Sequence, residues 1–193
     1  MKIRKLTGQD LLQGIDALAA LRIAVFAEYP YLYEGSAAYE AAYVREFVEE
    51  PGSVLVAALD GGRIVGAATA SPVTSQKPAF RAPLEEGGID TDRLFYFGES
   101  VLLPRYRGQG IGHRFFDERE AAARKAGAAA ACFASVIRPP DHPLRPAGYR
   151  PHYAFWTKRG YAPVDGLVTQ LAWKDRGDAA ESAKPMQFWL NRF

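Results

Sequence analysis

Leu94-Phe95-Tyr96-Phe97-Gly98-Glu99-Ser100-Val101-Leu102-Leu103-Pro104-Arg105-Tyr106-Arg107-Gly108-Gln109-Gly110-Ile111-Gly112-His113 is the stretch on which the reading of this chain turns. Its first ten residues are mostly apolar or aromatic and end at Pro104, which reads as a buried strand whose ladder a proline cannot continue. From Ile111 the apolar period changes: Ile111, Phe115, Ala122 and Ala126 share one helical face, and Gly127 closes the helix. Ala129 to Ile137 is again a buried strand. Strand, helix and strand with short connections predict a right-handed crossover joining two parallel strands. Arg107 to Gly112 therefore lies where a strand passes into a helix. The amides there point outward from a helix N-terminus carrying roughly half a positive charge, which makes a cradle for phosphate. Glycine suits it because a Cβ would keep an anion off the main chain, and because such turns use positive φ. A nucleotide P-loop needs Gly-Lys-Ser/Thr, but Ile111-Gly112-His113 follow Gly110. The dinucleotide fingerprint needs glycine three places after Gly110, where His113 stands.

Upstream, Val54–Leu59, the turn Asp60-Gly61-Gly62 and Arg63–Thr69 form a β-hairpin. Residues 72–91, with several prolines and Glu85-Glu86-Gly87-Gly88, read as an exposed excursion and not as a linker between domains. Nearer the N-terminus, Ile3–Leu6 is a short strand. A helix follows from Asp10 to about Ala27, its stripe of Leu11, Ile15, Leu18 and Val25 interrupted by Arg22. Pro30 breaks it, and Tyr29, Tyr31, Leu32 and Tyr33 form an aromatic loop. Tyr39, Tyr43 and Phe47, at spacings of four, mark a second helix closed by Pro51-Gly52. Downstream, Pro139, Pro140, Pro143, Pro146 and Pro151 stiffen a loop. Tyr153–Arg159 is a short helix, and Leu167–Trp173 and Met186–Leu190 are two last strands. There is no internal repeat.

The chain has 193 residues, 48% hydrophobic and 24% charged, the composition of a globular domain. One compact domain of roughly 16 Å radius of gyration is expected. Lys plus Arg number 24 and Asp plus Glu 22. The net charge of +2 lacks the electrostatic footprint of a nucleic-acid binder. The lone Cys132 excludes an intrachain disulfide and a sulfur-rich zinc site. Within Ala129–Ala134 it reads as a small buried hydrophobe, not an acyl carrier. His142 and His152 are held apart by proline-rich chain and propose no metal site. Met1 opens onto Lys2-Ile3-Arg4-Lys5-Leu6 without an apolar signal core, and no run of about eighteen apolar residues occurs. A cytoplasmic protein without a membrane segment is the expectation.

The glycine-rich turn resembles motif A of the GNAT N-acetyltransferase family, whose pattern Arg/Gln-x-x-Gly-x-Gly/Ala is matched by Arg107, Gly110 and Gly112. Val101-Leu102-Leu103-Pro104-Arg105-Tyr106 is similar to that family's hydrophobic strand and Pro-x-Tyr-Arg-Gly turn. Tyr153-Ala154-Phe155-Trp156-Thr157-Lys158-Arg159-Gly160-Tyr161 is similar to its Phe-Tyr-x-x-x-Gly-Phe segment. The order of elements matches over nearly the whole chain. The resemblance implies an α/β fold of GNAT type, a mixed central sheet of about seven strands flanked by helices, in a single domain over residues 1–193. It also implies acetyl-CoA as co-substrate, without a metal. The main chain of Val101, Leu102 and Leu103 would bracket the pantetheine, and the amides of Arg107, Gly108, Gln109, Gly110, Ile111 and Gly112 would hold the pyrophosphate. His113, in the first helical turn, is either a further phosphate contact or a solvated histidine. Read without a ligand, the same glycines each cost the helix about 0.5–1 kcal/mol.

An amine with a pKa near ~10 is protonated at neutral pH, so attack on a thioester needs a proton acceptor nearby. Glu99 is the candidate. Strand alternation puts it on the face of Phe95, Phe97, Val101 and Leu103, where apolar neighbours would raise its pKa toward the useful range. The family often uses a glutamate on this strand. The other reading is a structural carboxylate bonded to a loop. The departing thiolate takes a proton from a tyrosine in the family, but at that place stands Trp156, which is no acid. Tyr153, one turn earlier on the same face, is the substitute, unless it only packs the core or the coenzyme. In similar proteins the acceptor pocket lies between the N-terminal helices and the loop after the fifth strand, here Tyr29–Glu34, with Tyr29, Tyr31 and Tyr33, and Arg138–Arg150. Arg22 is read as a partner for a substrate carboxylate, and Glu28, Glu34 or Asp141 as partners for an ammonium group. Internal pairing is the alternative for each.

The resulting expectation is an N-acetyltransferase that moves an acetyl group from acetyl-CoA to a primary amine of a small molecule or peptide, by direct attack in a ternary complex. A non-catalytic acyl-CoA sensor, prompted by Trp156, is the alternative. A nucleic-acid-binding module ranks third. Phe188-Trp189-Leu190 either pairs across a homodimer or completes its own sheet.

Overall fold

The computed structural model describes residues 1–193, apart from the surroundings of Gly8 and of the Gln9 side chain. Seven strands form one sheet: β1 (Lys2–Leu6), β2 (Val54–Asp60), β3 (Arg63–Pro72), β4 (Leu94–Leu102), β5 (Ala130–Val136), β6 (Ala162–Trp173) and β7 (Ser182–Arg192). Their order is β1-β2-β3-β4-β5-β7-β6, antiparallel everywhere except between β4 and β5. This is the mixed seven-stranded sheet expected. The hairpin closes on Gly61 and Gly62, both at positive φ, as a two-residue turn between twisted strands requires.

Helices cover both faces. On one face α1 (Gly8–Phe26) and α2 (Ala37–Glu49) bury Leu11, Ile15, Leu18, Val44 and Ala41 against Leu55, Ala57, Ala67 and Val101. On the other, α4 (Ile111–Lys125) sets Ile111 and Phe115 on Val56, Ala58, Val65 and Ala68, and Phe116 on Phe97 and Phe133. The short α5 (Tyr153–Lys158) adds Phe155 and Trp156 to that second layer. No helix among the described residues is long and apolar enough to cross a membrane.

Several expectations change. Residues 72–91 are not an exposed excursion: they contain α3 (Pro78–Glu86), and Val73 and Leu84 are fully buried against Leu94, Tyr96 and Leu167. Pro78 sits in the first turn, where its missing N–H costs nothing, so the proline punctuation opens a helix. In α2 the period is displaced by one: Tyr39 is exposed, while Glu40, Ala41, Val44 and Phe47 are buried. In α4 the buried stripe runs Ile111, Phe115, Arg119, Ala123, and Ala126 lies on the exposed side. β7 has β5 and β6 as neighbours, so Phe188, Trp189 and Leu190 complete the chain's own sheet and offer no free edge for a homodimer.

Candidate active site

The parallel pair is short. β4 and β5 meet only at Leu94–Tyr96 opposite Ala130–Cys132, although β4 runs on to Leu102 and β5 to Val136. Beyond Tyr96 the strands part, and a wedge opens whose β4 wall carries main-chain groups. The Leu103 amide donates to the Val65 carbonyl at 3.0 Å, toward β3. Main-chain direction alternates along a strand, so Val101 faces β3 too, and Leu102 turns into the wedge. Of the three residues expected to bracket a pantetheine, only Leu102 presents its main chain there. Its carbonyl accepts from Arg107 Nε at 3.1 Å.

The glycine turn stands at the wedge mouth. After a single tight turn at Pro104–Tyr106, Gly108 and Gly110 adopt φ of +74° and +78°, and Gly110 caps α4. No heavy atom lies within 4 Å of where a Cβ at either would sit, so conformation, not crowding, calls for glycine at both. Gly112 is ordinary helix, with Phe155 at 3.6 Å from its imagined Cβ. The first amide to resume helical bonding is that of Arg114, to Gly110 at 3.3 Å. The Arg107 amide, expected in the cradle, is taken by the Pro104 carbonyl at 3.0 Å, whereas among the described residues the amides of Gly108, Gln109, Gly110, Ile111, Gly112 and His113 meet no acceptor. Six successive N–H groups without an acceptor, running into a fifteen-residue helix, have the arrangement that suits an anion. Gln109 Nε2 braces the turn on the Arg105 carbonyl at 3.0 Å. Arg107 Nη1 crosses to Glu28 at 2.8 Å, so Glu28 is engaged at the mouth. His113 is exposed, its ring edge-on to Phe155.

Glu99 does not share a face with Phe95 and Phe97. Ala70 pairs with Phe97 and Ala68 with Ser100, leaving Gly98 and Glu99 opposite Thr69 alone. This β-bulge inserts one residue and reverses the alternation. Phe97 faces α4, while Glu99 and Val101 face α1 and α2. The neighbours of the carboxylate are consequently not the apolar set expected. It forms an ion pair with Arg22, whose guanidinium also holds Glu40. All three side chains are nine-tenths or more buried. Burial by itself lowers the Arg22 guanidinium, but Glu99, Tyr43 and Glu40 more than reverse this and hold it above its ordinary value. Arg22 is thus enclosed between two carboxylates and over the Tyr43 ring, not open to a substrate carboxylate.

The aromatic loop divides. Tyr29 packs edge-on against Tyr149 at 4.6 Å and His142 at 5.7 Å, from the proline-rich loop. Tyr31 lies between Phe26 and Trp173, its phenol pushed up to about 12 by burial and then by the nearby Tyr149 and Glu99. Burial, and then the nearby Glu40, raises the Tyr33 phenol. Glu34 pairs with Lys174 at 3.0 Å. Asp141 is exposed and in none of the ion pairs among the described residues. Tyr153 is 46% exposed, its ring 5.3 Å from Trp189. Trp156 is wedged on Phe133 and Trp189 and serves as wall. Cys132 is fully buried, and burial pushes its thiol up, which suits an inert side chain.

Five further side chains, Arg138, Asp175, Lys184, Tyr149 and Glu40, shape this region, and none is an individual candidate from the sequence, although Arg138 and Tyr149 lie in the loop expected to line the pocket. Arg138 donates to the carbonyls of Pro30 and Tyr31, each at 2.7 Å, and makes a two-pronged pair with Asp175 at 2.7 and 3.0 Å. Lys184 adds a contact to Asp175 at 3.3 Å. Burial opposes the Asp175 charge, but Arg138 and Lys184 prevail and lower its pKa. This network moors the Tyr29–Glu34 loop to the β6–β7 hairpin. Tyr149, within the proline run, packs on Tyr29, and burial, then Tyr29 and Tyr153, raises its phenol. Glu40 carried a visible signal, a charge within the apolar stripe of α2, as Arg22 did within α1.

A profile of the Acetyltransferase (GNAT) family matches residues 18–147. A search of curated proteins finds no match. Among solved structures, an aminoglycoside 6'-acetyltransferase type Ii superposes with a TM-score of 0.62 at 20% identity, over 100% of this chain and 97% of that one. A ribosomal-protein-alanine N-acetyltransferase from Brucella melitensis reaches 0.66 at 15% identity, over the whole of both chains. An aminoglycoside 6'-N-acetyltransferase complexed with coenzyme A reaches 0.63 at 18% identity, over 100% and 97%. At these identities the likeness is one of fold.

Proposed function

The chain belongs to the Acetyltransferase (GNAT) family, and from that premise we propose that it transfers an acetyl group from acetyl-CoA to a primary amine by direct attack within a ternary complex. The observation that carries this reading is the row of free amides from Gly108 to His113 at the mouth of the β4–β5 wedge. A pyrophosphate needs such a row, and an extended pantetheine needs a gap beside a strand edge. The residues present fit the coenzyme: Gly108–His113 for its phosphates, and the Leu102 main chain for its amide-bearing arm.

When bound, acetyl-CoA supplies the thioester carbonyl that an amine attacks. Glu99, at the bulge, takes the proton that the amine must lose. Arg22 holds the Glu99 carboxylate in one orientation, since it is itself held by Glu40. The C–N bond forms as the C–S bond breaks, and the sulfur takes up a proton for which Tyr153 is the donor on this reading. Tyr29 and Tyr149, packed edge to face, would form an aromatic wall where the acceptor amine sits, a surface that attracts cationic and ring-bearing groups. The aminoglycoside and ribosomal-protein acetyltransferases of the same fold act on amines, which supports an amine acceptor without selecting one.

A second reading has one observation behind it. Trp156 stands where the family carries a tyrosine, and it is packed as wall, so an acyl-CoA-binding sensor would keep the cradle and lack the acid. Thiol release from acetyl-CoA, measured with a panel of small-molecule and peptide amines, separates the two. Amine-dependent release is expected. Tight coenzyme binding with no release on any amine refutes transfer and selects the sensor.

A further inference from the structure

Bulges break the hydrogen-bond ladder and bend under load unless something meets their main-chain groups. At Gly98–Glu99 that partner comes from α4. Arg119 Nη1 donates to the Thr69 carbonyl at 3.3 Å and to the Glu99 carbonyl at 3.2 Å, and its Nη2 donates to Ser100 Oγ at 2.9 Å. Its Nε donates to the Phe115 carbonyl at 3.2 Å, and the guanidinium lies 4.4 and 4.7 Å from the Phe97 and Phe116 ring centroids. The residue is 1% exposed. Burial draws its pKa down to about 10, against the pull of Tyr161, Glu99 and Glu120.

A helical position facing a sheet inside an apolar layer is served by leucine or methionine, and burying a guanidinium there is costly. What arginine alone brings is a planar fork of donors, and here the fork spans both strands of the bulge. The opposite side of the bulge is closed as well. The Glu99 amide donates to Thr69 Oγ1 at 3.1 Å, and a Cβ on Gly98 would come within 2.6 Å of that oxygen. Thr69, Gly98 and Arg119 therefore define one register of β4 on β3, the register that directs Glu99 toward Arg22.

We propose that Arg119 is a positioning residue for the acyl transfer: through the main chain of the bulge, it holds the Glu99 carboxylate against Arg22 beside the wedge. The proposal rests on Glu99 being the proton acceptor. It places a second arginine in the machinery of the reaction, on the far side of the sheet from the first.

The test compares Arg119→Met, which keeps length and loses the donors, with Arg119→Lys, which keeps the charge and part of the bonding. Amide exchange of Glu99 and titration of its carboxyl, followed by carbon NMR, are read on the folded protein alone. kcat and the KM for acetyl-CoA are read with an accepted amine. In Arg119→Met the Glu99 amide is expected to exchange about tenfold faster or more, as locally freed backbone does. Its carboxyl midpoint should move, and kcat should fall about 10- to 100-fold with the KM for acetyl-CoA within about twofold. Arg119→Lys should recover part of each change. If Arg119→Met fails to fold, Thr69→Val, which removes the acceptor of the Glu99 amide, is read in the same way. An unchanged Glu99 amide and carboxyl in a folded variant overturns the positioning role alone. A displaced carboxyl with kcat unchanged overturns it together with the assignment of Glu99 as proton acceptor.

Discussion

Gly110→Val tests the anion cradle, and its magnitude follows from two features of the turn. Gly110 has φ of +78°, and the space where a Cβ would project is empty to 4 Å. The stability loss is therefore conformational: about 1–2 kcal/mol for an L-residue in the left-handed region, with a β-branched side chain at the upper end. For a chain of this length that lowers Tm by roughly 2–8 °C, which leaves a folded protein at 25 °C. The effect on coenzyme binding has a separate cause. A valine side chain occupies the approach to successive free amides, and each N–H bond to an anion is worth about 1.5–3 kcal/mol, so losing even one raises Kd about 10- to 100-fold. Gly61→Val is the control: φ of +55°, an equally empty Cβ space, and a place in the hairpin turn away from the wedge. Calorimetry with acetyl-CoA and a thermal melt on both variants separate strain from recognition. The two should melt alike, and only Gly110→Val should lose the ligand. A folded Gly110→Val whose Kd stays within about twofold of the parent refutes the cradle.

Other consequences are as open to measurement. Glu99→Gln keeps the shape of the bulge and removes the proton acceptor, so kcat should fall about 100-fold or more while coenzyme affinity holds; full turnover across pH would remove Glu99 from the chemistry. The folded pKa of Asp175 is depressed below the ordinary 3.8, so its contribution to stability is present above about pH 4 and lost as pH falls through the lower folded value. Asp175→Asn should consequently flatten the acid limb of urea-denaturation stability below about pH 4, and parallel limbs for the two proteins would discount the pair. Leu84→Ala should cost about 2–5 kcal/mol, as a fully buried leucine does, whereas a residue on an exposed excursion would cost almost nothing.

Much of the fold was legible because it depends on local period and punctuation. The hairpin around Gly61-Gly62, the strand into Pro104, and the helix opening after Gly110 each have a signal within a few residues. The Gly108–Gly112 turn was legible for the same reason, since positive φ and a helix start are local properties. The excursion at 72–91 was misread because proline marks a helix start as well as a loop, and only contact with Leu94 and Leu167 distinguishes the two.

The bulge is the sharpest case of what sequence alone withheld. Alternation is a rule about an unbroken strand, and one inserted residue inverts it. Nothing in Phe97-Gly98-Glu99-Ser100 states that Thr69 will face two residues rather than one. The partnership of Arg22 with Glu40 and Glu99, and that of Arg119 with the bulge carbonyls, join residues remote along the chain. Periodicity shows that a charge stands on an apolar face, but not which charge meets it. The residues of the turn thus carry their own conformation, positive φ and a row of free amides, which is a matter of local backbone. Where Glu99 points, whether Arg22 is free, and which tyrosines pack together were decided only when distant segments met, because burial compels each charge and hydroxyl to find its partner in space.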